Sequence, residues 1–233
     1  VVYANPDGTA TYVPNPDTVP YSDSFEYTIT DGELTATSYV TVTMLNTPPE
    51  AFNNTIIVNK NTPGGVALGM IDYDVLDSLD ASFDPSVTMH GLLTLTQKTT
   101  VIQRYFADNW YDLQVNSFTV QYDPSNDYVG SDIIKFYVTD GFDRTAAFIE
   151  VSVLNQPPIA NDLSFNCSKN NPAQYNLLST NYDPNNDTIK LTDFTELPTE
   201  QGGKIVRINN DEVMYYPPQD YVGVDSVVYT ITD

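Results

Sequence analysis

The sequence predicts an all-β chain built from tandem Greek-key β-sandwich repeats stacked end to end, and three observations carry that reading. First, the segment DSFEYTITDGELTATSYVTVTMLNTPPEAFN from Asp23 returns as DIIKFYVTDGFDRTAAFIEVSVLNQPPIAND from Asp132, and its opening returns again as DSVVYTITD from Asp225. Recurrence at a fixed spacing is the mark of modules that stack. Second, apolar residues alternate with polar ones in each copy: Phe25, Tyr27, Ile29; then Ile134, Phe136, Val138; then Val227, Tyr229, Ile231. Period two is the signature of a strand with one buried face. Third, no segment shows apolar spacing of three and four over ten or more residues, while 16 prolines and abundant Val, Thr and Tyr favour sheet.

The elements follow in order. After each first alternating run comes Asp-Gly (Asp31-Gly32, Asp140-Gly141), a tight-turn dipeptide, and then a second alternating run, Tyr39 to Met44 or Phe148 to Val153. Each copy therefore reads strand, turn, strand. The joints LNTPPEAFNN and LNQPPIANDL carry paired prolines, which hold the backbone extended and stiff. The expected units are 1–49, the C-terminal half of a first sandwich; 50–158, a complete one; and 159–233, a third lacking its last strand. Asp233 stands where Asp140 stands, just before the glycine and the final strand. The expectation is a window onto a longer protein, the alternative a missing strand supplied by a neighbouring subunit through β-augmentation.

The unit 50–158 is longer between Gly91 and Tyr122 than its successor is between Gly203 and Tyr216, so an inserted hairpin is expected near 96–115. It holds the chain's one tryptophan, Trp110, beside Tyr111. One reading packs these aromatics on their own unit or a neighbour; the other makes them an exposed platform for a glycan or protein ligand. The single cysteine excludes an intrachain disulfide framework. Alternation of Leu163, Phe165 and Cys167 with Ser164, Asn166 and Ser168 predicts that the thiol faces the core, as its counterpart Val58 does.

Nine Lys and Arg against 31 Asp and Glu leave a formal charge of -22, which makes nucleic acid an improbable partner. Bound cations or an extended shape would relieve the self-repulsion. No stretch approaches the roughly 18 continuous apolar residues of a membrane span, so no membrane insertion is expected in this segment.

The combination of YVGSDIIKFYVTDG, YVGVDSVVYTITD, NPDGTATYVP and LNQPPIAND resembles the cadherin-like, immunoglobulin-like tandem repeats of large extracellular surface proteins and adhesins. Tyr21, in place of the family's glycine, and the insert after Gly91 depart from that pattern. The resemblance implies an extracellular or cell-surface spacer or stalk whose joints and acidic loops are often stiffened by calcium. The loop DYDVLDSLD offers Asp74, Asp77 and Asp80 after Asp72, and YDPNNDT offers Asp183, Asn185 and Asp187, with Asp74 and Asp183 related by the same 109-residue offset as Asp23 and Asp132. Asn155 and Asp162 at the joint and Asp140 at the turn are further candidate ligands. Calcium takes six to eight oxygens at about 2.3–2.6 Å from such residues. Asp and Asn are also ordinary turn formers, and neither loop has EF-hand spacing.

Sequons occur at Asn53, Asn166 and Asn186, candidate glycosylation sites in an exported eukaryotic or archaeal protein. Glycosylation of Asn186 competes with its use as a metal ligand. The single histidine, His90, accompanies no nucleophile elbow, phosphate loop or zinc spacing, so no enzyme activity is expected. The expected role is a structural spacer or stalk that contacts neighbouring repeats of its own chain, with self-assembly into a filament as one form. The alternative is an adhesive module binding a glycan or protein through Trp110 and Tyr111.

Overall fold

The computed structural model describes residues 1–14, 21–74, 77–86, 89–106, 109–192, 194 and 196–233. Every regular element among them is a strand. Contacts divide the chain into two compact units: Val1–Val58, Pro63–Ser125 and Gly130–Ser152 form unit 1, and Asn59–Thr62, Asn126–Val129 and Val153–Asp233 form unit 2.

Unit 1 opens with the hairpin of β1 (Val2–Ala4) and β2 (Ala10–Tyr12), followed by that of β3 (Tyr21–Thr30) and β4 (Thr35–Met44). β3 and β4 pair from Tyr21↔Met44 to Thr30↔Thr35 around the turn Asp31–Leu34. The turn works as its Asp-Gly predicts. Gly32 takes a left-handed φ of 101, and the Asp31 carboxylate accepts the backbone N–H groups of Glu33 and Leu34. Asp140-Gly141 repeats it, with φ 99 at the glycine and bonds from Phe142 and Asp143.

Next come β5 (Glu50–Ala51), β6 (Asn54–Asn59), β7 (Gly64–Ala67), β8 (Met70–Ile71) and β9 (Asp80–Phe83). The long strands β10 (Gly91–Phe106), β11 (Asn109–Pro124), β12 (Gly130–Thr139) and β13 (Arg144–Leu154) complete the set. One sheet has the order β6-β13-β12-β9, another β10-β11-β7. β13 thus lies between β6 and β12. Asn53 reaches the N–H of Phe148 and the N–H of Lys60 reaches the carbonyl of Leu154, so β6 and β13 run in the same direction. Alternate residues of these strands make the core: Ile56 and Val58; Phe118, Val120 and Tyr122; Ile134, Phe136 and Val138; Ala147, Ile149, Val151 and Val153. Burying each of the Val, Ile and Phe side chains among them contributes about 1.5–3 kcal/mol.

In unit 2, β14 (Ala173–Asn176), β18 (Glu212–Tyr216), β17 (Lys204–Arg207) and β16 (Glu196–Pro198) form a sheet in the order β14-β18-β17-β16, and β15 (Lys190–Leu191) pairs with β19 (Ile231–Thr232). Leu177, Leu191, Ile205 and Val213 are its buried centre.

The alternating runs do not share one fate. Ile134, Phe136 and Val138 are fully buried, and Val227, Tyr229 and Ile231 are half-buried, but Tyr27 and Ile29 are 44% and 61% exposed. Alternation marks a face able to be covered; β3 and β4 form a two-stranded hairpin among the described residues, and nothing described covers that face. Cys167 is likewise exposed, not buried as alternation predicted. Its counterpart Val58 lies on β6, beside β13, whereas residues 163–168 have no strand partner among the described residues.

Candidate metal centres

Two loops gather carboxylates. In unit 1, one oxygen from each of Asp72, Asp77 and Asp140 lies within 4.8 Å of the others. The loop folds on itself because Asp72 Oδ1 accepts the N–H of Asp74 at 2.8 Å and the Asp74 carbonyl accepts the N–H of Asp77. The stretch after β4 docks onto it. The N–H of Thr47 donates to Asp74 Oδ2 at 2.7 Å, and Asn46 Nδ2 donates to Asp140 and Asp143, each at 2.8 Å.

In unit 2, Asp183, Asp187 and Asp233 form the second trio. Asp183 Oδ1 accepts the N–H groups of Asn185 and Asp187, the N–H of Gln156 donates to Asn185 Oδ1, and Asn155 Nδ2 donates to Asp233 Oδ2 at 2.6 Å. Three bonds recur between the sites, Asp72–Asp74 as Asp183–Asn185, Thr47–Asp74 as Gln156–Asn185 and Asn46–Asp140 as Asn155–Asp233, with Asp77 and Asp187 as the third carboxylates of their trios. This corrects the sequence register, which paired Asp74 with Asp183. Asn46 and Asn155 keep the 109-residue offset, but Asp72 and Asp74 stand two residues out of it and Asp77 one, and Asp140 and Asp233 lie 93 apart, so the site preserves its hydrogen bonds rather than its numbering.

Five buried side-chain oxygens lack a hydrogen-bond partner among the described residues: Asn46 Oδ1, Asp72 Oδ2, Asp77 Oδ2, Asp183 Oδ2 and Asp187 Oδ2. All belong to these two sites. A buried polar atom without a partner costs about 1–3 kcal/mol, more when charged, so such a concentration calls for a ligand that satisfies oxygens. Electrostatics agree. Burial first, and then the charges of Asp72, Asp74 and Asp140, push the Asp77 carboxyl up to about 6. Burial also raises Asp72, whereas at Asp140 the bonds from Asn46, Asp143 and Phe142 outweigh burial and hold it below the usual range. The donor set is oxygen only, the chemistry of a hard divalent cation rather than of zinc or copper.

The sites differ in one respect. Lys60 sets its ammonium 2.5 Å from Asp187 Oδ1 and 3.8 Å from Asp127 in the second site, and its pKa is raised chiefly by the Asp187 bond. The surroundings of Lys60 recur: Asn61 and Asp127 exchange two hydrogen bonds, both with left-handed φ, as do Asn170 and Asp220 beside Lys169.

Of the other sequence candidates, Asp80 is exposed and bonds the N–H of Ala81, and Asp162 is exposed outside both trios. Asn185 is buried with its amide engaged at both ends, by Gln156 and by the carbonyl of Lys60. The sequons Asn53, Asn166 and Asn186 are all exposed, and Asn186 has a φ of 63. Trp110 is 66% exposed and packs against Tyr105, ring centroids 5.3 Å apart, while Tyr111 is half-buried on the opposite face of β11. The strand thus separates the two residues expected to act together.

Sequence reasoning missed a second recurring device. The aspartate that opens each first alternating run, the Asp of Val-Gly-x-Asp in two copies and Asp23 after Tyr21 in the other, accepts a tyrosine hydroxyl: Tyr12 to Asp23 at 3.0 Å, Tyr122 to Asp132 at 2.5 Å, Tyr215 to Asp225 at 2.8 Å. Burial raises the Asp132 and Asp225 carboxyls, but these bonds, with those of His90 and Thr199, outweigh it and hold both low. His90 thereby gains a place: its N–H and ring Nδ1 both contact Asp132. The Tyr-to-Asp spacing of 11 residues in the first pair and 10 in the other two is the signal that reveals the device.

Residues 155–233 match the family described as bacterial Ig domain. No curated protein matches the chain. Among solved structures it is similar to an endo-fucoidan hydrolase of glycoside hydrolase family 107, at 15% identity over 94% of this chain and 33% of that one, with a TM-score of 0.30. It is also similar to the S-layer protein SbsC, at 15% identity over 92% and 26% with a TM-score of 0.29, and to an I-band fragment of titin, at 9% over 85% and 65% with a TM-score of 0.30. The chain spans about a third of the hydrolase's length, and TM-scores this low carry nothing about activity. Strands are the only regular elements among the described residues and the C-terminal third matches the bacterial Ig domain, so the chain is all-β and its residues 155–233 are similar to an immunoglobulin-like repeat.

Proposed function

We propose that the chain is a structural spacer region of a long extracellular or cell-surface protein, whose Asp72–Asp140 and Asp183–Asp233 sites each bind calcium. One observation carries the reading: the five buried oxygens without partners among the described residues all fall in two sites that share three hydrogen bonds. In each, one loop meets the segment that follows a strand, so an ion held there ties two stretches of chain together. In the first, Asp72, Asp77 and Asp140 hold the ion with Asn46 Oδ1; in the second, Asp183, Asp187 and Asp233 do. Exposed Asn53, Asn166 and Asn186 suit glycosylation in a host that performs it, and repeats of this kind suit a filament as well as a stalk.

Calcium titration of the intact chain by calorimetry, with melting curves in calcium and in chelator, tests the proposal. It predicts saturable binding near two ions per chain and a melting temperature that rises with calcium. No heat of binding and coincident melting curves would sink it. A second reading rests on the exposed Trp110–Tyr105 pair, which presents an aromatic surface to a glycan or protein; Trp110→Ala removes that binding and leaves the fold intact.

A further inference from the structure

Hydrogen bonding determines which way the backbone of the inserted hairpin faces. Strands β10 and β11 pair without a break from Gly91↔Pro124 to Phe106↔Asn109. The N–H of Ser125 donates to the carbonyl of His90, and the Ser117 hydroxyl donates to the carbonyl of Lys98, so even-numbered residues of β10 turn their backbone groups toward β11. The N–H of Leu68 donates to the carbonyl of Phe118, which turns even-numbered residues of β11 toward β7 and agrees with that pattern. In an antiparallel ladder the intervening residues point the other way. Gln97, Thr99, Val101 and Gln103 therefore turn N–H and C=O to the outer edge of β10, where no strand lies among the described residues. Unit 2 differs: β17, which begins beside Gly203 as β10 begins at Gly91, has β16 on its outer side.

β7 pairs with β11 over Thr119–Tyr122, and no other strand joins β10 or β11 among the described residues, so from Gln97 to Phe106 the hairpin is two strands wide. Two strands alone are marginal in water, and a long edge without proline or bulge is a template for another strand. β10 has neither. Charge selects the partner. The chain carries -22, but from Pro85 to Tyr122 Lys98 and Arg104 balance Asp108 and Asp112, so two copies can meet here without the repulsion that acidic surface imposes.

We infer that two copies of the chain pair through the outer edges of β10, antiparallel about a two-fold axis at Thr100. Thr99 exchanges backbone bonds with Val101 of the partner subunit, and Gln97 with Gln103 of the partner subunit. Lys98 then stands opposite Ile102 of the partner subunit and Arg104 opposite Thr96 of the partner subunit, so no like charges face each other directly. The contact adds a lateral partner to the spacer role and does not rest on cation binding.

The intact chain is followed by sedimentation equilibrium across concentration, and amide hydrogen exchange is read on dilute and associated samples. A reversible dimer is expected. Exchange at Gln97, Thr99, Val101 and Gln103 should slow at least about tenfold on association, while Thr96, Lys98 and Thr100 are protected in both samples. Val101→Pro removes an outward N–H from each copy and none that β11 uses, and should weaken the dimer by about tenfold. Val101→Lys, at a side chain 60% exposed, brings a positive charge from each copy to the axis; it should weaken the dimer too, and it keeps the test valid if the proline variant fails to fold. A chain that stays monomeric up to millimolar concentration overturns the inference. So does a dimer that leaves exchange at the four outward amides unchanged, or one that the folded variants form as tightly as the natural chain, since it then uses another surface.

Discussion

At neutral pH and without a cation, Asp77 is the most strained charge in unit 1, and its replacement by asparagine tests that directly. Its carboxyl titrates at about 6 in the folded chain against 3.8 ordinarily. Because the folded value is the higher one, the stability tied to this proton is complete below about pH 3.8 and is lost as pH rises through 6. The difference corresponds to about 3 kcal/mol at 1.36 kcal/mol per pKa unit. Asp77 is only half-buried, and solvent screening reduces this to roughly 1–3 kcal/mol. For a unit of this size each kcal/mol moves the melting temperature by roughly 2–4 °C. Melting followed by circular dichroism at pH 5 and pH 7.5, in chelator, should show the natural chain losing stability at the higher pH. Asp77→Asn should melt higher than the natural chain at pH 7.5 and depend less on pH. General self-repulsion of a chain carrying -22 has the same sign, and the single substitution separates the two effects. Calcium should reverse the order: at a hundredfold excess over its dissociation constant it stabilises the natural chain by about 2.7 kcal/mol per site, and the variant by less. If Asp77→Asn melts lower than the natural chain in chelator at pH 7.5, or if the natural chain is more stable there than at pH 5, the carboxylate is not strained and the reasoning fails.

Lys60→Met removes the ammonium from the second site; in chelator its melting temperature should fall, and the gain on adding calcium should exceed that of the natural chain, both read from paired melts. Tyr122→Phe takes a donor from the buried Asp132 carboxylate and should cost about 1–3 kcal/mol in urea unfolding, with no change in calcium stoichiometry. Because Asp132 and Asp225 titrate low, the stability they contribute is present above the ordinary carboxylate range and lost as pH falls through their folded values; a melt series from pH 5 to pH 2 should show a decline that Asp132→Asn makes shallower. Gly65→Ala places a Cβ against the Val120 carbonyl oxygen, where β7 pairs with β11, and should cost roughly 1–3 kcal/mol by the same unfolding measurement.

The two acidic sites differ in how their charge is met. In the second site Lys60 satisfies one oxygen of Asp187, while Asp183 Oδ2 and Asp187 Oδ2 remain without partners. A single ammonium has three hydrogens and one charge; it neutralises part of a three-carboxylate trio, and on the proposed calcium binding the remainder is what a divalent ion would satisfy. The first trio has no lysine among the described residues that plays this part, and there the carboxyl of Asp77 rises instead.

By itself the sequence determined the strands, their alternation and their turns, because these depend on near neighbours: Ile134, Phe136 and Val138 alternate, Asp31 and Asp140 close their turns through their own side chains, and both acidic loops are dense enough to notice. Asp233 was legible as the partner of Asp140 because it ends the same strand pattern. Burial was not legible. Phe25–Ile29 and Leu163–Cys167 carry the same alternation as buried strands, yet covering a face requires a second strand from elsewhere in the chain, and only the tertiary structure decides whether one is there. Only the tertiary structure, too, set the register of the acidic loops, since the bonds from Thr47 and Gln156 select Asp74 and Asn185 and override the constant offset. The Tyr–Asp pairs and the split of Trp110 from Tyr111 across β11 have the same cause: hydrogen bonds and strand faces are fixed by distances in space, which separation along the chain does not contain.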